Sequence, residues 1–294
     1  MQFQKITLIG VGLLGGSLGL AVKRRRLAGR VEGYVRRTAT IAECRKRRAV
    51  DLATLDLPTA VSGADLIVLC TPLAQMQSLV KDFLPSMKRG AIVTDVGSVK
   101  SNVVKDLEKL ITKAGGHFVG SHPMAGAEKT GVSAARADLF EQAVCVITPT
   151  TNSPAAAVRK LEKFWQAVGA RTLRLPAETH DVLVARSSHL PHVAAAALAL
   201  TVLDPKHPAE QGRLCATGFR DTTRVASGSP EMWRDIALAN RRNLARSLDV
   251  FMAGLKQFQK ALGRADVEAV TAFFETARQR RDDWCAGCAS RSPE

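Results

Sequence analysis

Two polar residues, each placed just after a short apolar stretch, are the first candidates for chemistry in this chain. His122 lies just past a predicted strand over residues 117–120, and Ser98 lies just past a predicted strand over residues 91–95. Imidazole is the side chain whose ordinary pKa lies nearest neutrality, so His122 is suited to take a proton from a substrate hydroxyl as hydride leaves. Ser98 is predicted to hydrogen-bond the same hydroxyl. The alternatives are a loop histidine bonded to the backbone and a serine that caps the next helix.

A glycine-rich loop near the N-terminus predicts a dinucleotide-binding site. Gly10, Gly12 and Gly15 follow the apolar residues 6–9 and precede the helix-forming residues 17–23, the context in which GxGxxG is informative. In that motif the glycines permit a tight turn, close approach of a pyrophosphate and close packing of helix on strand. The phosphates then lie at the N-terminus of the helix. The predicted cofactor-binding residues are Gly10, Gly12, Leu13, Leu14, Gly15, Arg36, Arg37, Thr38, Thr71 and Pro72.

The tip of the second predicted strand favours NADP over NAD as cofactor. An NAD-binding chain usually places Asp or Glu there to bind the ribose 2′-hydroxyl, whereas this chain has Val35, Arg36 and Arg37. A carboxylate would repel a 2′-phosphate, and guanidinium groups bind one bidentately. Glu32 comes too early in the strand to reach the ribose. We therefore predict NADP as the preferred cofactor and NAD as the alternative; the competing interpretation makes both arginines ordinary solvated charges.

Composition restricts the classes of protein to which this chain can belong. Its 294 residues are enough for two domains with hydrophobic cores. The longest apolar run, residues 193–200, is too short for a membrane span, and the N-terminus lacks a secretory signal pattern, so we predict a cytoplasmic protein with no membrane partner. The net charge is +15, but no aromatic residues interleave the basic runs at 23–26 and 45–48, which argues against a nucleic-acid partner.

The order of apolar stretches predicts the elements that must position these residues. Short strands (66–70, 91–95, 117–120, 144–148) alternate with helices (73–83, 103–114, 155–168), which is typical of parallel βαβ units. A doubly wound parallel sheet of the Rossmann type binds ligands at the carboxyl ends of its strands. Only helical segments follow Pro176, at 177–203, 231–262 and 267–280, and Pro191 is expected to distort the first of them.

These patterns predict two domains with different tasks. Residues 1–174 form an α/β dinucleotide-binding domain, and residues 175–294 form an all-α domain that binds substrate. Because a long apolar helical segment rarely packs only on itself, we expect the C-terminal helices to form a homodimer.

Six segments, spread over nearly the whole chain, resemble the prephenate and arogenate dehydrogenases of tyrosine biosynthesis. They are VGLLGGSLGLAV near the start, DVGSVK at 95–100, GSHPMAGAEKTG at 120–131, SHLPH at 188–192, GFRDTTRVA at 218–226 and MWRDI at 232–236. The resemblance implies an enzyme that oxidatively decarboxylates prephenate or arogenate to 4-hydroxyphenylpyruvate or tyrosine. Hydride passes from the ring carbinol carbon to NAD(P)+, and loss of carbon dioxide makes the ring aromatic.

The resemblance also implies roles for particular residues. His122 matches the catalytic histidine, Ser98 matches the serine beside it, and Arg224 matches the arginine that binds the ring carboxylate. Arg220, at i, i+4 from Arg224, is the second choice for that carboxylate. The full predicted substrate-binding set is Arg224, His192, Ser188, His189, Arg220 and Glu128. His192 is the candidate for the side-chain carboxylate, and Glu128 for orienting the site. His189 and His192 share a helix face but have no third ligand, so no metal site is predicted.

Other functions remain open at this point. Dehydrogenases of the β-hydroxyacid class share the same N-terminal pattern, but they resemble one another in a catalytic lysine on the first long helix of the second domain, and residues 177–203 contain no lysine. A non-enzymatic NADP-binding module would bind a protein or nucleic-acid partner through its helical half. A reductase of imines or ketones would not need Arg220 and Arg224. The sequence does not distinguish prephenate from arogenate, although we favour prephenate slightly.

Overall fold

The computed structural model describes residues 2–127 and 129–289, and its central feature is a six-stranded parallel sheet. The strands are β1 (Phe3–Ile9), β2 (Ala28–Tyr34), β3 (Leu52–Thr54), β4 (Leu66–Leu69), β5 (Ile92–Asp95) and β6 (His117–Phe118). Their order is β3-β2-β1-β4-β5-β6, so the strand order reverses between β1 and β4. Such a reversal is where doubly wound sheets bind ligands, and the glycine loop follows β1 at this point.

Five helices connect the strands of this sheet. They are α1 (Leu13–Arg24), α2 (Thr38–Arg47), α3 (Leu57–Val61), α4 (Leu73–Phe83) and α5 (Ser101–Lys113). In α5 the apolar residues Val103, Leu107 and Ile111 recur at the helical period and are buried on one face. The predicted doubly wound α/β architecture is confirmed in this part of the chain.

A second, three-stranded sheet corrects the predicted setting of His122. It consists of β7 (Gly120–Pro123), β8 (Val144–Thr148) and β9 (Arg171–Arg174); β7 and β8 are antiparallel, and β8 and β9 are parallel. We expected His122 in a loop past a strand at 117–120, but it lies inside β7, opposite Val146. The reason is that Ser121 is hydrogen-bonded to Asp95 through both its backbone N–H and its hydroxyl, which holds β7 across the end of β5.

The remainder of the described chain is helical. Its elements are α6 (Ala155–Ala167), α7 (Ala177–Val184), a π-helical turn (Ala185–His189), α8 (Leu190–Val202), α9 (Glu210–Arg213), α10 (Thr217–Thr223), a 3-10 turn (Arg224–Ser227), α11 (Pro230–Ala239), α12 (Arg241–Gly263) and α13 (Val267–Ala289). The π-helical turn ends two residues before Pro191, which confirms the predicted distortion, because proline cannot donate the regular helical hydrogen bond.

The single predicted helix over 231–262 is wrong. Asn240 separates α11 from α12, with φ −109° and ψ 24°. Its side-chain amide donates a hydrogen bond to the carbonyl of Asp181 at 2.8 Å, a contact between residues far apart in sequence. That long-range contact fixes the break, so helical periodicity alone could not locate it.

The chain forms two compact units that divide between Asn243 and Leu244. In the second unit the ring of Phe258 packs on Phe273, with ring centroids 4.6 Å apart. The predicted domain boundary at residues 174 and 175 stays a prediction. Among the residues that the structure describes, no helix has both the length and the apolar character required to traverse a bilayer.

Candidate active site

His122 is the first member of a chain of three hydrogen-bonded side chains, which we call the histidine chain: His122, His180 and Asp181. The His122 ring is 6% exposed, and its Nδ1 lies 2.8 Å from Nε2 of His180. Nδ1 of His180 lies 2.8 Å from Oδ1 of Asp181. The β7 strand supplies the first residue and α7 supplies the other two. A histidine base whose ring is oriented by a hydrogen-bonded neighbour is a recurrent arrangement for general-base catalysis.

The surroundings of His122 keep its imidazole neutral. Burial lowers the pKa of His122 well below its usual range, and the positive charge of Lys100 and the rings of His180 and His189 act in the same direction. The neutral form is the one able to accept a proton. His122 is therefore in its basic form at neutral pH.

A buried ion pair ties the strand that carries His122 to the main sheet. Lys100 and Asp95 are both fully buried, and the Lys100 ammonium contacts the Asp95 carboxylate. The same ammonium donates to the backbone carbonyl of Ser121 at 2.9 Å, and the Ser121 N–H donates to Oδ1 of Asp95 at 3.2 Å. Since Ser121 immediately precedes His122, these contacts fix the position of the His122 backbone.

Asp181 has a second task at the N-terminus of α5. Its carboxylate accepts hydrogen bonds from the backbone N–H groups of Lys100 at 2.8 Å and Ser101 at 2.9 Å. Burial acts to raise the pKa of Asp181, but the hydrogen bonds from His180, Ser101 and Lys100 outweigh it and lower the pKa. Asp181 is therefore ionised, and it caps the helix as well as ending the histidine chain.

Ser98 lies half-buried in the loop between β5 and α5. The alternative role of helix cap is wrong for this residue, since α5 begins at Ser101 and Asp181 binds the first N–H groups. The structure leaves the Ser98 hydroxyl without a hydrogen bond to the described residues. Its predicted contact with a substrate hydroxyl stays a prediction.

The helical segment brings two further histidines close to the histidine chain. His189 is 1% exposed, and its Nδ1 lies 3.2 Å from Nδ2 of Asn240, the amide that also bonds the Asp181 carbonyl. Burial lowers the pKa of His189 to about 4. The His192 ring stacks on Trp233 with centroids 3.7 Å apart, and the His189 ring meets the edge of the same indole. His122, His189 and His192 therefore line one connected cluster.

The remaining predicted substrate residues are less enclosed. The backbone carbonyl of Ser188 accepts a hydrogen bond from Nδ1 of His192 at 2.9 Å. Arg220 on α10 and Arg224, which begins the 3-10 turn, are both exposed, and that turn packs against α8. Glu128 lies outside the described residues. The structure thus places the two arginines on elements that adjoin the helix of His192.

The glycine loop has the shape that a dinucleotide requires. Gly10 has φ +96°, and a Cβ on Gly15 would lie 2.1 Å from the Gly10 carbonyl oxygen. Around Gly12, by contrast, a Cβ would meet nothing within 4 Å, and no side chain caps the N-terminus of α1 at this residue. Beside Gly10, the buried Oγ1 of Thr71 has no hydrogen-bond partner. A pyrophosphate would fit this loop, because there is open space at Gly12, the first N–H groups of α1 have no side-chain cap and the Thr71 hydroxyl can still donate a hydrogen bond.

The segment after β2 presents its polar residues to solvent. Val35 is buried, whereas Arg36, Arg37 and Thr38 are exposed at the start of α2. The carboxylate of Glu32 forms ion pairs with Lys5 at 2.8 Å and Arg30 at 2.7 Å. That carboxylate is therefore engaged within the fold.

The sequence analysis missed several members of this cluster. His180, Asp181 and Asn240 lie outside every motif that carried the resemblance, and Lys100 and Trp233 lie inside such motifs without having been assigned a role. One signal was present: His180 and Asp181 are adjacent polar residues directly before the apolar residues 182–185. A buried polar pair of this kind needs partners.

Comparisons with known proteins agree with the geometry. The family model for the prephenate dehydrogenase nucleotide-binding domain matches residues 18–174, and that for the prephenate dehydrogenase dimerization domain matches residues 176–276. A cyclohexadienyl dehydrogenase from Zymomonas mobilis is 35% identical over 95% of each chain, and a prephenate dehydrogenase from Bacillus subtilis is 32% identical over 94% of this chain and 75% of the relative.

A solved structure is also similar over nearly the whole chain. It is prephenate dehydrogenase from A. aeolicus in complex with hydroxyphenyl propionate and NAD+, with a TM-score of 0.89, 29% identity, and coverage of 95% of this chain and 98% of that one.

Proposed function

We propose that this chain, which belongs to the prephenate dehydrogenase family, oxidatively decarboxylates prephenate with a nicotinamide cofactor. The resemblance predicted from the six segments is confirmed, and the chain is an oxidoreductase. The main support for this reaction is that His122 is buried and neutral within a connected cluster of histidines. The same compact unit contains a glycine loop whose shape fits a dinucleotide. Family membership favours this enzyme over the β-hydroxyacid dehydrogenases and over a non-enzymatic module.

The residues of this chain divide the chemistry between proton transfer and anion binding. The bound nicotinamide supplies a hydride acceptor for the ring carbinol carbon. Nε2 of His122 takes the hydroxyl proton, so the O–H bond breaks as the N–H bond forms. The bond to the ring carboxylate then breaks, which releases carbon dioxide and makes the ring aromatic. Ser98 is proposed to orient the hydroxyl and Arg224 to hold the ring carboxylate, with Arg220 as the alternative.

The cofactor is proposed to be NADP in preference to NAD. Two exposed guanidinium groups, Arg36 and Arg37, follow the strand that ends beside the glycine loop, and the nearby Glu32 carboxylate is engaged by Lys5 and Arg30. A 2′-phosphate would meet positive charge there, with no free carboxylate from Glu32 to repel it.

The two halves of the chain are proposed to divide the work. Residues 1–174 hold the cofactor, and residues 175–294 bind substrate and form a homodimer through their helices. Large apolar side chains on α12 and α13 support the dimer, because they are exposed in a single chain: Val250, Met252, Leu255, Leu262, Val267, Phe274 and Trp284. The mass in solution, measured by light scattering, tests this; a monomer at micromolar concentration contradicts it.

Initial rates with purified protein test the function directly. Prephenate and arogenate are each paired with NAD and NADP, and formation of reduced cofactor is followed. Turnover is expected with prephenate. At low cofactor concentration the rate with NADP should exceed the rate with NAD. Absence of turnover in every pairing, with cofactor binding intact, contradicts the proposed reaction. Equal or better use of NAD contradicts the cofactor preference alone.

A further inference from the structure

We propose that His180 and Asp181 are positioning residues that hold His122 in the tautomer protonated at Nδ1, so that Nε2 is the atom that accepts the substrate proton. This inference rests on the proposed function for its role in catalysis. The arrangement itself is a property of the folded chain and can be measured without substrate.

The tautomer follows from the direction of the hydrogen bonds. The Asp181 carboxylate can only accept, so the His180 Nδ1 that lies 2.8 Å away carries a proton. A neutral His180 protonated at Nδ1 has a lone pair at Nε2. That lone pair, 2.8 Å from Nδ1 of His122, must accept, so His122 carries its proton at Nδ1. Only Nε2 of His122 is then left as a base, and no described residue hydrogen-bonds to it.

The same contacts stabilise the charge that forms during the reaction. When Nε2 of His122 gains the substrate proton, the ring becomes a cation that donates from Nδ1 to His180. His180 is 0% exposed and Asp181 is 2% exposed, so no water competes for these hydrogen bonds. A buried, ionised carboxylate behind a second imidazole is well placed to balance that charge, since electrostatic interactions strengthen where water is excluded.

The charged groups around His122 make this balance necessary. The Lys100 ammonium acts against protonation of His122, as a positively charged His180 or His189 ring would, and the Asp95 carboxylate is already paired with Lys100. The thiol of Cys145 on β8 also lies nearby, and burial raises its pKa well above the usual range, so it is neutral. Within the described residues, Asp181 is therefore the carboxylate that reaches His122 through a hydrogen-bonded partner.

Substitutions at His180 separate positioning from folding. Asp181 is unsuitable because it also caps α5, whereas the His180 ring hydrogen-bonds, among the described residues, to His122 and Asp181 alone. His180→Phe fills the space but leaves Nδ1 of His122 without an acceptor. His180→Gln retains a side-chain oxygen as acceptor. His207→Gln, at an exposed histidine on the surface, is the matched control.

Nitrogen-15 NMR of the ring nitrogens in the cofactor-free protein gives a readout that does not depend on activity. We expect Nδ1 of His122 to be the protonated nitrogen in the wild type and in His207→Gln, and this preference to be lost in His180→Phe. In parallel, kcat should fall about 10²- to 10³-fold in His180→Phe with KM changed less than about threefold, and partly recover in His180→Gln, because general-base catalysis depends on the correct tautomer.

Two results would overturn the proposal. One is a His122 protonated at Nε2 in the wild type. The other is a folded His180→Phe protein with wild-type kcat. If the wild type turns over no substrate at all, the proposed function fails, but the NMR measurement still decides whether His180 and Asp181 set the tautomer. If His180→Phe does not fold, His180→Gln carries the test: an unchanged tautomer with kcat between wild-type and 10²-fold lower supports positioning, and a reversed tautomer contradicts it.

Discussion

The residues proposed for proton transfer and those proposed for anion binding differ in burial and in hydrogen bonding. On the proton-transfer side, His122, His180 and Asp181 are at least nine-tenths buried, and each is held by a hydrogen bond to the next. On the anion-binding side, Arg220 and Arg224 are exposed, as are Arg36 and Arg37 at the cofactor loop. Proton transfer needs fixed geometry and a controlled pKa, whereas long cationic side chains attract an anion from solvent without being enclosed.

This contrast predicts that substitutions on the buried side alter the chemical step or the stability of the fold. Substitutions on the exposed side should alter the affinity for substrate or cofactor and leave the fold unchanged.

The largest effect is expected from His122→Asn. Because general-base catalysis contributes about 10²- to 10⁴-fold, kcat should fall by that factor while KM changes little. Steady-state kinetics with prephenate measure both constants, and His207→Gln serves as the control. Near-normal turnover in a folded His122→Asn protein removes His122 from the mechanism.

Breaking the buried ion pair should cost stability. Lys100→Met leaves the Asp95 carboxylate buried without its cation, and removal of one partner from a buried pair typically costs about 3–5 kcal/mol. Urea unfolding measures the change in the free energy of unfolding. The double variant Lys100→Met with Asp95→Asn removes both charges and should recover part of the loss; a single variant as stable as wild type contradicts the role of this pair.

Acid should destabilise the fold through His189. Burial lowers the pKa of His189 from 6.5 to about 4, so between these two pH values the unfolded chain binds a proton that the native state does not. The free energy of unfolding is therefore unaffected by His189 above pH 6.5 and falls as the pH drops from 6.5 towards 4. The loss at pH 4.5 is about 2–3 kcal/mol, from 1.36 kcal/mol per unit. The unfolding free energy at pH 7 and 4.5 should therefore fall further in wild type than in His189→Gln. Equal pH dependence in the two proteins contradicts this assignment.

On the exposed side, Arg224→Ala should weaken substrate binding. A hydrogen bond to a charged group contributes about 1.5–3 kcal/mol, so KM for prephenate should rise about 10- to 150-fold. The free energy of unfolding should stay within about 0.5 kcal/mol of wild type. Arg213→Ala, another exposed arginine, is the control. If KM rises in Arg220→Ala instead, Arg220 is the residue that holds the carboxylate.

The smallest effect is expected at the cofactor loop. Replacing Arg36 and Arg37 together with alanine should raise KM for NADP about tenfold, because this removes a charge-assisted contact to the 2′-phosphate that solvent partly screens. KM for NAD should stay nearly unchanged, because NAD has no 2′-phosphate. The ratio of kcat/KM for the two cofactors measures this. An unchanged ratio means that these arginines are solvated surface charges.

Much of this protein can be predicted from local signals in the sequence. Local sequence patterns determine the glycine loop and the alternation of strands and helices up to residue 175. They also determine that the segments after residue 175 are helical. These signals predicted the fold class, whereas the family came from the resemblance of six motif segments; the distortion before Pro191 follows from the missing N–H of proline. His122 and Ser98 were selected by type and position, without knowledge of their partners.

The sequence by itself therefore determined the family, the main sheet and the identity of the candidate base. Only the tertiary structure decided that β7 leaves the main sheet, that Asn240 ends α11, and that His180 and Asp181 stand behind His122. His122 and His180 are 58 residues apart, and the bond between them depends on packing α7 against β7. Local periodicity carries no information about such contacts, because buried polar groups select their partners by proximity in the folded chain.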